Sequence, residues 1–235
     1  MATHGSAPKV LFYTRIRKSP YFRASGRHGV QAYSVYNHMY HPRYYDDPER
    51  EYWKLLKDVT LWDVAVERQV EITGPDAFTF TNMLTPRDLT KCAVGQCMYV
   101  VITAEDGGII NDPVLLRLGE NHFWLSLADS DVLLWAKGLA VNSGLNVQIR
   151  EPDVAPVQVQ GPKSKQVIQK LFGDRALDVP YYYLFEANLD DMDVVVSRTG
   201  FSGELGYEIY LYNATRDGEK LWNTVLEAGQ PYNIA

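Results

Sequence analysis

An acidic residue, Glu208, stands inside a segment that otherwise has the composition of a β-strand. It belongs to the run RTGFSGELGYEI (198–209), in which Gly200, Gly203 and Gly206 recur every three residues. Acids are depleted in strands, and a buried carboxylate needs donor partners, ideally a planar group with two N–H donors. The run therefore predicts either a cavity lined by Glu208 or a solvent-facing strand that follows a glycine-rich hairpin loop.

A second acid, Asp112, interrupts the apolar run IINDPVLL (109–116). Pro113 cannot donate to a strand ladder, so this point is predicted to be an edge or a bulge where side chains are re-aimed. A purely structural bulge is the alternative. Tyr99 lies on the preceding predicted strand, and further aromatic residues follow at 181–185. These rings are predicted either to belong to the hydrophobic core or to line a cavity in which they stack on a flat heterocycle. No nucleophile with a neighbouring base is evident, so an enzyme of this kind would align a reactive cofactor.

These residues must be positioned by strands and helices that occur in two similar units. Each unit reads strand, Gly-Pro, helix, in QVEITGPDAFTFTNML (69–84) and QVQGPKSKQVIQKL (158–171), and the Gly-Pro pairs lie 87 residues apart. The other predicted elements are a helix over 47–59, an antiparallel meander of strands over 96–103, 109–118 and 122–128, a helix over 130–140, two strands that flank the 198–209 loop, and a helix over 214–229.

The pattern predicts an α+β fold made of two related sub-domains, each with an antiparallel sheet and packed helices. Residues 1–45 are predicted to form a basic N-terminal arm and loop. A discontinuous first sub-domain is assigned to 46–68 plus 146–235, and a second sub-domain, which contains the meander, to 69–145. The chain stops soon after its last predicted helix, and we expect it to be the N-terminal portion of a longer protein.

Charge is unevenly distributed along the 235 residues. The first 45 contain seven Lys or Arg and no acid, whereas the remainder carries 16 basic and 29 acidic side chains. The leader is predicted to be an arm lying on an acidic body or, alternatively, an organelle transit segment. The acidic balance argues against nucleic acid as a partner, and no apolar run is long enough for a membrane helix. Cys92 and Cys97 lack metal-site spacing, so we expect no metal and a cytoplasmic, reducing location.

Taken together, these runs resemble the folate-dependent aminomethyltransferase family, whose founding member is the T-protein of the glycine cleavage system. The runs that carry the resemblance are WDV (62–64), QVEITGPDA (69–77), EDGGIINDP (105–113), the second QGP (160–162) and RTGFSGELGYEI (198–209). The resemblance implies a fold of two related sub-domains followed by a small β-barrel domain, which is missing from this sequence. It also implies tetrahydrofolate as the cofactor.

The resemblance assigns roles to seven residues. Asp112 would lie near the reactive N5 of the folate as the catalytic residue, and Glu208 would bind the 2-amino group and ring N–H of the pterin. The other cofactor-binding residues would be Tyr99, Tyr207, Phe201, Asn111 and Arg198. The glycines would keep their loop slim beside the cofactor.

Departures from the T-protein pattern indicate which one-carbon donor the protein uses. T-proteins usually read D-V-S-H-M where this chain has Asp63-Val64-Ala65-Val66-Glu67, and this change, with ADSDVLLWAKG (128–138), looks more like the dimethylsulfoniopropionate demethylase branch. The expected function is methyl transfer from a small sulfonium to tetrahydrofolate. The alternatives are aminomethyl transfer, which would need a lipoyl carrier protein, and a folate-binding relative without chemistry. The 235 residues are expected to bind folate weakly and to be inactive alone.

Overall fold

The structure, a computed structural model, describes residues 13–235. Residues 1–12 of the predicted basic arm, including Lys9, lie outside the described residues. The helices are α1 (Phe22–Arg27), α2 (Pro48–Lys57), α3 (Ala77–Met83), α4 (Val132–Ala140), α5 (Ser164–Phe172) and α6 (Ala214–Gly229). The strands are β1 (Ala32–Tyr36), β2 (Met39–Tyr44), β3 (Thr60–Asp63), β4 (Gln69–Thr73), β5 (Cys97–Tyr99), β6 (Ile102–Thr103), β7 (Ile109–Asn111), β8 (Val114–Gly119), β9 (His122–Ser126), β10 (Gln148–Arg150), β11 (Val154–Gln160), β12 (Leu184–Leu189), β13 (Met192–Ser197) and β14 (Gly206–Tyr212).

Two five-stranded antiparallel sheets form the body of the molecule. The first sheet has the order β12-β13-β14-β11-β3, and the second has the order β10-β4-β9-β8-β5. One core packs α5 and α6 on the first sheet, and another packs α3 and α4 on the second sheet. A third cluster, which includes Trp124 and Tyr210, joins the inner faces of the two sheets. The layers therefore run helix, sheet, sheet, helix, and the predicted α+β class is confirmed.

The two sheets are built to the same plan. Read from β3, the first sheet matches the second sheet read from β10, so that β11 corresponds to β4 and β14 to β9. Both Gly-Pro glycines have positive φ, 120° at Gly74 and 118° at Gly161. A Cβ atom at either glycine would lie 2.6 or 2.7 Å from a backbone carbonyl oxygen, of Asn146 or Asp58. Only glycine tolerates both that conformation and that approach, so each Gly-Pro pair fixes the same strand-to-helix turn.

The connections between the sheets are reciprocal. The edge strand β3 of the first sheet leads through residues 64–68 into β4 of the second, and the edge strand β10 of the second leads through 151–153 into β11 of the first. Residues 148–150, which the predicted boundary places in the first sub-domain, are paired with the second sheet. The sub-domain boundaries stay a prediction.

The meander differs from the prediction in one respect. Residues 96–103 and 109–118 were each expected to form one strand, but each is split, and β6 and β7 pair only with each other. The second split falls at Asp112 and Pro113, where the missing N–H of proline ends the ladder, and Val100 N donates to the Pro113 carbonyl instead. Asp112 therefore lies at an interruption between two short strands.

The described part of the N-terminal arm packs on the body. Arg17 forms an ion pair with Glu151 at 2.6 Å, and Tyr21 donates from its hydroxyl to the Ala155 carbonyl at 2.8 Å. Ser19 Oγ donates to the buried Asp63 carboxyl group at 2.5 Å. Of the helices in residues 13–235, none combines the length and apolar character needed to cross a bilayer.

Burial raises the pKa of Asp63 to about 6, although Ser19 and the Ala65 backbone donate to it. The unfolded chain loses this proton near its ordinary pKa of 3.8, so stability conferred by the neutral carboxyl group is present below about pH 4 and is lost as the pH rises through 6. Between pH 4 and 8 this group should lower the free energy of unfolding of the wild type by about 3 kcal/mol, the equivalent of the pKa shift, and Asp63→Asn should abolish that decrease. Urea unfolding of wild type and variant across this pH range measures the difference. Parallel curves of unfolding free energy against pH would contradict the expectation.

Asp58 supplies a control of opposite sign. Lys163 donates to its carboxylate and lowers its pKa, so the stability that this pair contributes is lost as the pH falls. Asp58→Asn should therefore abolish a decrease in unfolding free energy toward low pH, whereas Asp63→Asn abolishes one toward high pH.

Candidate functional site

Glu208 lies on the inner face of the first sheet, on β14 between β11 and β13. It is 3% exposed and accepts hydrogen bonds from the Gln158 amide (Nε2 to Oε1, 2.7 Å), the Tyr210 hydroxyl (3.0 Å to Oε2) and the Thr199 hydroxyl. No Lys, Arg or His of residues 13–235 forms an ion pair with it. Burial raises the pKa of Glu208, and these neutral donors offset that effect only in part. Glu208 is therefore a buried acid that has hydrogen bonds but no counter-ion.

A buried acid of the second sheet, Glu71 on β4, is in the opposite situation. The pair Glu71 and Trp124 occupies the register position that Gln158 and Glu208 occupy in the first sheet, so Glu71 corresponds to Gln158 and Trp124 to Glu208. Glu71 accepts from Arg150 Nε at 2.5 Å, His122 Nε2 at 2.9 Å and Trp124 Nε1 at 3.1 Å. Burial acts to raise its pKa, but these hydrogen bonds lower it. The fold therefore supplies a cation to Glu71, whereas Glu208 has neutral donors alone.

A third acid, Glu67, stands beside Glu208. It lies in the segment that connects β3 to β4 and is half-buried. Ser126 Oγ donates to its Oε2 at 3.2 Å, and the Gln158 amide lies between the two acids, 3.4 Å from Glu67 Oε1. Burial raises the pKa of Glu67 well above its ordinary value, and the nearby charge of Glu208 raises it further. Two carboxyl groups with one intervening amide do not both ionise readily.

Asp112 and Tyr99 contact each other, as neighbours at the interrupted strand. The Tyr99 hydroxyl donates to Asp112 Oδ2 at 2.7 Å, and that hydrogen bond to the carboxylate raises the pKa of Tyr99. Burial raises the pKa of Tyr36 on β1, and the negative charges of Glu67, Asp129 and Asp112 add to the effect.

The hairpin of β1 and β2 holds this region together. At its tip, the Asn37 amide donates to the carbonyls of Val66 (3.0 Å) and Ala128 (2.8 Å), and Asn37 N donates to Asp129 Oδ1 at 2.7 Å. Asn37 and the next residue both have positive φ, as a two-residue hairpin turn requires. The hairpin thus fixes the Glu67 segment against the loop that follows β9.

Two glycines of the 198–209 run make room for a glutamine. Side chains at Gly200 and Gly206 would collide with the amide of Gln160, which fills the space between them. That amide accepts from Ser202 Oγ at 2.7 Å and donates to the Thr199 and Tyr207 carbonyls at 3.3 Å, and so it braces the loop. That the glycines keep the loop slim beside a cofactor stays a prediction.

We expect Gly206→Ala to destabilise the fold by about 1–3 kcal/mol, the usual cost of overpacking a filled site. Its φ is not positive, so the added Cβ acts only through the contact with Gln160. Gly206→Ala combined with Gln160→Ala should recover part of the loss, while Gly138→Ala, which has nothing within 4 Å of the added Cβ, is the control. Chemical denaturation measures all three. Equal effects at Gly206 and Gly138 would refute the explanation.

The remaining predicted residues are placed as follows. Tyr207 is fully buried against α5 and α6, on the face of β14 opposite Glu208, so the structure does not bring the two together. Asn111 is 3% exposed, and its amide bonds to Ala128 and Ser130. Arg198 is half-buried and donates to the Val179 carbonyl at 3.3 Å. Phe201 is 92% exposed. Their roles toward a cofactor stay predictions.

A cavity of about 520 Å³ lies elsewhere, beneath the N-terminal arm, where residues 64–68 and 151–153 cross. It is lined by Arg17, Arg68 and Glu151 among others, and by none of the seven predicted site residues. Arg68 and Arg17, two of the cations that line it, both bond to Glu151.

Sequence reasoning missed four residues that surround Glu208: Glu67, Gln158, Thr199 and Tyr210. Two signals were available. An acid stands alone between the apolar segments Val64–Val66 and β4, and Gln158 and Gln160 recur with period two in an otherwise apolar strand. That period places both amides on the face that meets Glu208.

Comparison with solved structures defines the class of fold. The chain matches the crystal structure of the glycine cleavage system aminomethyltransferase T from Bartonella henselae with a TM-score of 0.79 at 21% identity, over 94% of this chain and 59% of that one. The family pattern described as the GCVT N-terminal domain matches residues 22–235, and the chain therefore belongs to that family.

Two curated relatives narrow the comparison. The dimethylsulfoniopropionate demethylase DmdA of Ruegeria pomeroyi is 39% identical over 220 residues, which are 94% of this chain and 60% of that protein. An aminomethyltransferase of Corynebacterium aurimucosum is 31% identical over 201 residues, which are 82% of this chain and 54% of that protein. The chain thus spans somewhat more than half the length of these relatives.

Proposed function

We propose that the chain binds tetrahydrofolate and transfers a one-carbon unit to it, with a methyl sulfonium such as dimethylsulfoniopropionate as the donor. The observation that carries the proposal is Glu208, a buried carboxylate without a counter-ion in the motif that resembles the T-protein family. The 2-amino group and ring N–H of a pterin are neutral donors that suit such a carboxylate, whereas the buried acid Glu71 of the second sheet is already paired with Arg150 and His122. The residues present therefore fit the cofactor.

When bound, tetrahydrofolate supplies N5 as the nucleophile that accepts the one-carbon unit. Glu208 holds the pterin edge and so fixes the orientation of the ring. Asp112 would take up a proton from N5 and would stabilise positive charge at that atom, while Tyr99 holds its Oδ2. A sulfonium needs no proton on departure, because the electron pair of the broken C–S bond leaves with sulfur.

Exposed aromatic rings suit a cationic donor. Phe201 is 92% exposed and Tyr99 is 41% exposed. An onium group held over such a ring gains about 0.5–2 kcal/mol for each contact. Aminomethyl transfer from a lipoyl carrier is the second candidate, because relatives about 30% identical carry the name aminomethyltransferase.

The test uses the chain alone and the chain fused to the remaining C-terminal part of the Ruegeria relative. Each is titrated with tetrahydrofolate under anaerobic conditions and then incubated with dimethylsulfoniopropionate, and mass spectrometry detects 5-methyltetrahydrofolate. Methyl transfer supports the proposal. Methylenetetrahydrofolate formed only from an aminomethyl-loaded lipoyl carrier would favour the second candidate. Tetrahydrofolate binding with neither product would indicate a folate-binding relative without chemistry, and no binding would overturn the proposal.

A further inference from the structure

The strongest unexplained feature of the molecule is Glu67, an acid that none of the predicted roles uses. Its carboxyl group lies next to that of Glu208, with the Gln158 amide 3.4 Å from one and 2.7 Å from the other. Ser126 is its only other side-chain donor in the described chain, at 3.2 Å. Glu67 is half-buried, so one side of it is accessible to a ligand.

The surroundings of Glu67 are negative or neutral. Burial raises the pKa of Tyr36, Cys97, Tyr182 and Tyr210 on the packed elements, and the charge of Glu67, Glu208 or both raises each of them further, as Asp129 and Asp112 also do for Tyr36. Arg68 points away and forms an ion pair with Glu151 at 2.5 Å. Within residues 13–235, none of the acids Glu67, Asp112 and Glu208 has a cation as partner.

A buried acceptor beside Glu67 also lacks a donor. Gln69 is 1% exposed, and its Nε2 donates to Ser126 Oγ at 3.1 Å and to the Glu67 carbonyl. Its Oε1, however, has no hydrogen-bond partner. A buried polar atom without a partner is uncommon and needs an explanation. An occupant that brings positive charge or donors to this place would satisfy both the acid and the amide.

We propose that Glu67 is a specificity-determining residue whose carboxyl group serves as counter-ion to a cationic one-carbon donor and gives up a proton when that cation binds. Glu208 is held by three donors and keeps its charge, whereas Glu67 has the weaker set and holds the proton while the site is empty. Asn37 donates to the Val66 and Ala128 carbonyls, and Asn111 donates to the same Ala128 carbonyl, so hydrogen bonds connect the segment of Glu67 with that of Asp112, the residue assigned to N5. This inference rests on the proposed function only for the identity of the donor.

The sign of the pH dependence follows directly. A cation binds more tightly to the ionised carboxylate, so affinity for a sulfonium should rise with pH, by up to about tenfold per unit for one proton, until Glu67 is ionised without ligand. Glu67→Gln should abolish this rise and weaken sulfonium binding at pH 8 by about tenfold or more. Glu67→Asp should retain the pH dependence. Glu71→Gln is the matched control, because that acid is already paired with Arg150.

Calorimetry tests this with two probes, dimethylsulfoniopropionate and its uncharged-sulfur analogue 3-methylthiopropionate, in buffers of different ionisation enthalpy. We expect the wild type to release about one proton when it binds the sulfonium and none when it binds the thioether. Glu67→Gln should release no proton with either probe. Equal pH profiles for wild type and Glu67→Gln, or equal proton release with both probes, would overturn the inference.

A measurement without ligand keeps this result separate from the proposed function. Infrared spectra of protein with ¹³C-labelled glutamate detect the carbonyl band of a protonated carboxyl group. At pH 7 this band should be present in the wild type and in Glu71→Gln, and absent in Glu67→Gln. No band at neutral pH, or a band that persists in Glu67→Gln, would overturn the inference even if methyl transfer occurs. If the band behaves as expected but neither probe binds, the counter-ion role fails. Loss of tetrahydrofolate binding instead contradicts the proposed function.

Discussion

Glu208→Gln is expected to weaken tetrahydrofolate binding by about 100-fold or more, because a hydrogen bond to a charged group contributes about 1.5–3 kcal/mol and the carboxylate would make two. The glutamine also presents an NH₂ group toward a ligand edge that consists of donors. Isothermal titration of wild type and variant at pH 7.5 measures the change in Kd. An unchanged Kd would show that the pterin edge is held elsewhere.

Two controls separate this effect from a loss of folding. Glu71→Gln changes a buried acid of the second sheet that is paired with Arg150, and it should leave tetrahydrofolate binding intact. The variant Glu208→Gln itself should unfold at a temperature no lower than wild type at pH 8, because it removes a desolvated charge whose pKa burial has raised. Weak binding by a folded variant with an unaltered Glu71→Gln control is the expected combination.

Asp112→Asn is expected to lower kcat for methyl transfer by about 10²- to 10³-fold, the usual effect of removing a group that takes a proton or stabilises developing charge. The asparagine keeps a hydrogen bond to Tyr99 and the size of the side chain, so the Kd for tetrahydrofolate should change little. Single-turnover formation of 5-methyltetrahydrofolate, measured with saturating donor in the form of the protein that turns over, gives the rate.

Tyr99→Phe is the matched control for Asp112→Asn. It removes the hydrogen bond to Oδ2 but leaves the carboxylate, and we expect a smaller loss of rate, about tenfold. A full rate in Asp112→Asn would mean that the acid at the interrupted strand is structural only.

The sequence patterns identified most elements because the strong signals were local. The Gly-Pro turns, the helix over 214–229 and the break at Pro113 depend on backbone geometry that one or two residues dictate. The split of the meander was missed because an apolar run does not reveal with which strand each part pairs.

The candidate site was less accessible to such reasoning. Glu208 could be recognised, because an acid inside a strand is unusual, but its neighbours come from strands far apart in sequence. Glu67 lies in a connection with no periodicity, and only the folded sheets bring it to Gln158. Tyr207 was assigned to the cofactor from the resemblance, although strand alternation already placed it on the other face from Glu208.

The reciprocal connections between the sheets carry a consequence for any attempt to divide the chain. The edge strand β3 of the first sheet lies in the N-terminal half of the chain, and the edge strand β10 of the second sheet lies in the C-terminal half. Neither half of the chain therefore contains all five strands of either sheet. A cut in the exposed turn at Gly144, just before β10, would yield pieces with unpaired strand edges that recover shape only by fragment complementation. Glu67 lies in the connection from β3 to β4, so the binding of a cationic one-carbon donor proposed for it would occur only when the two pieces are reassembled.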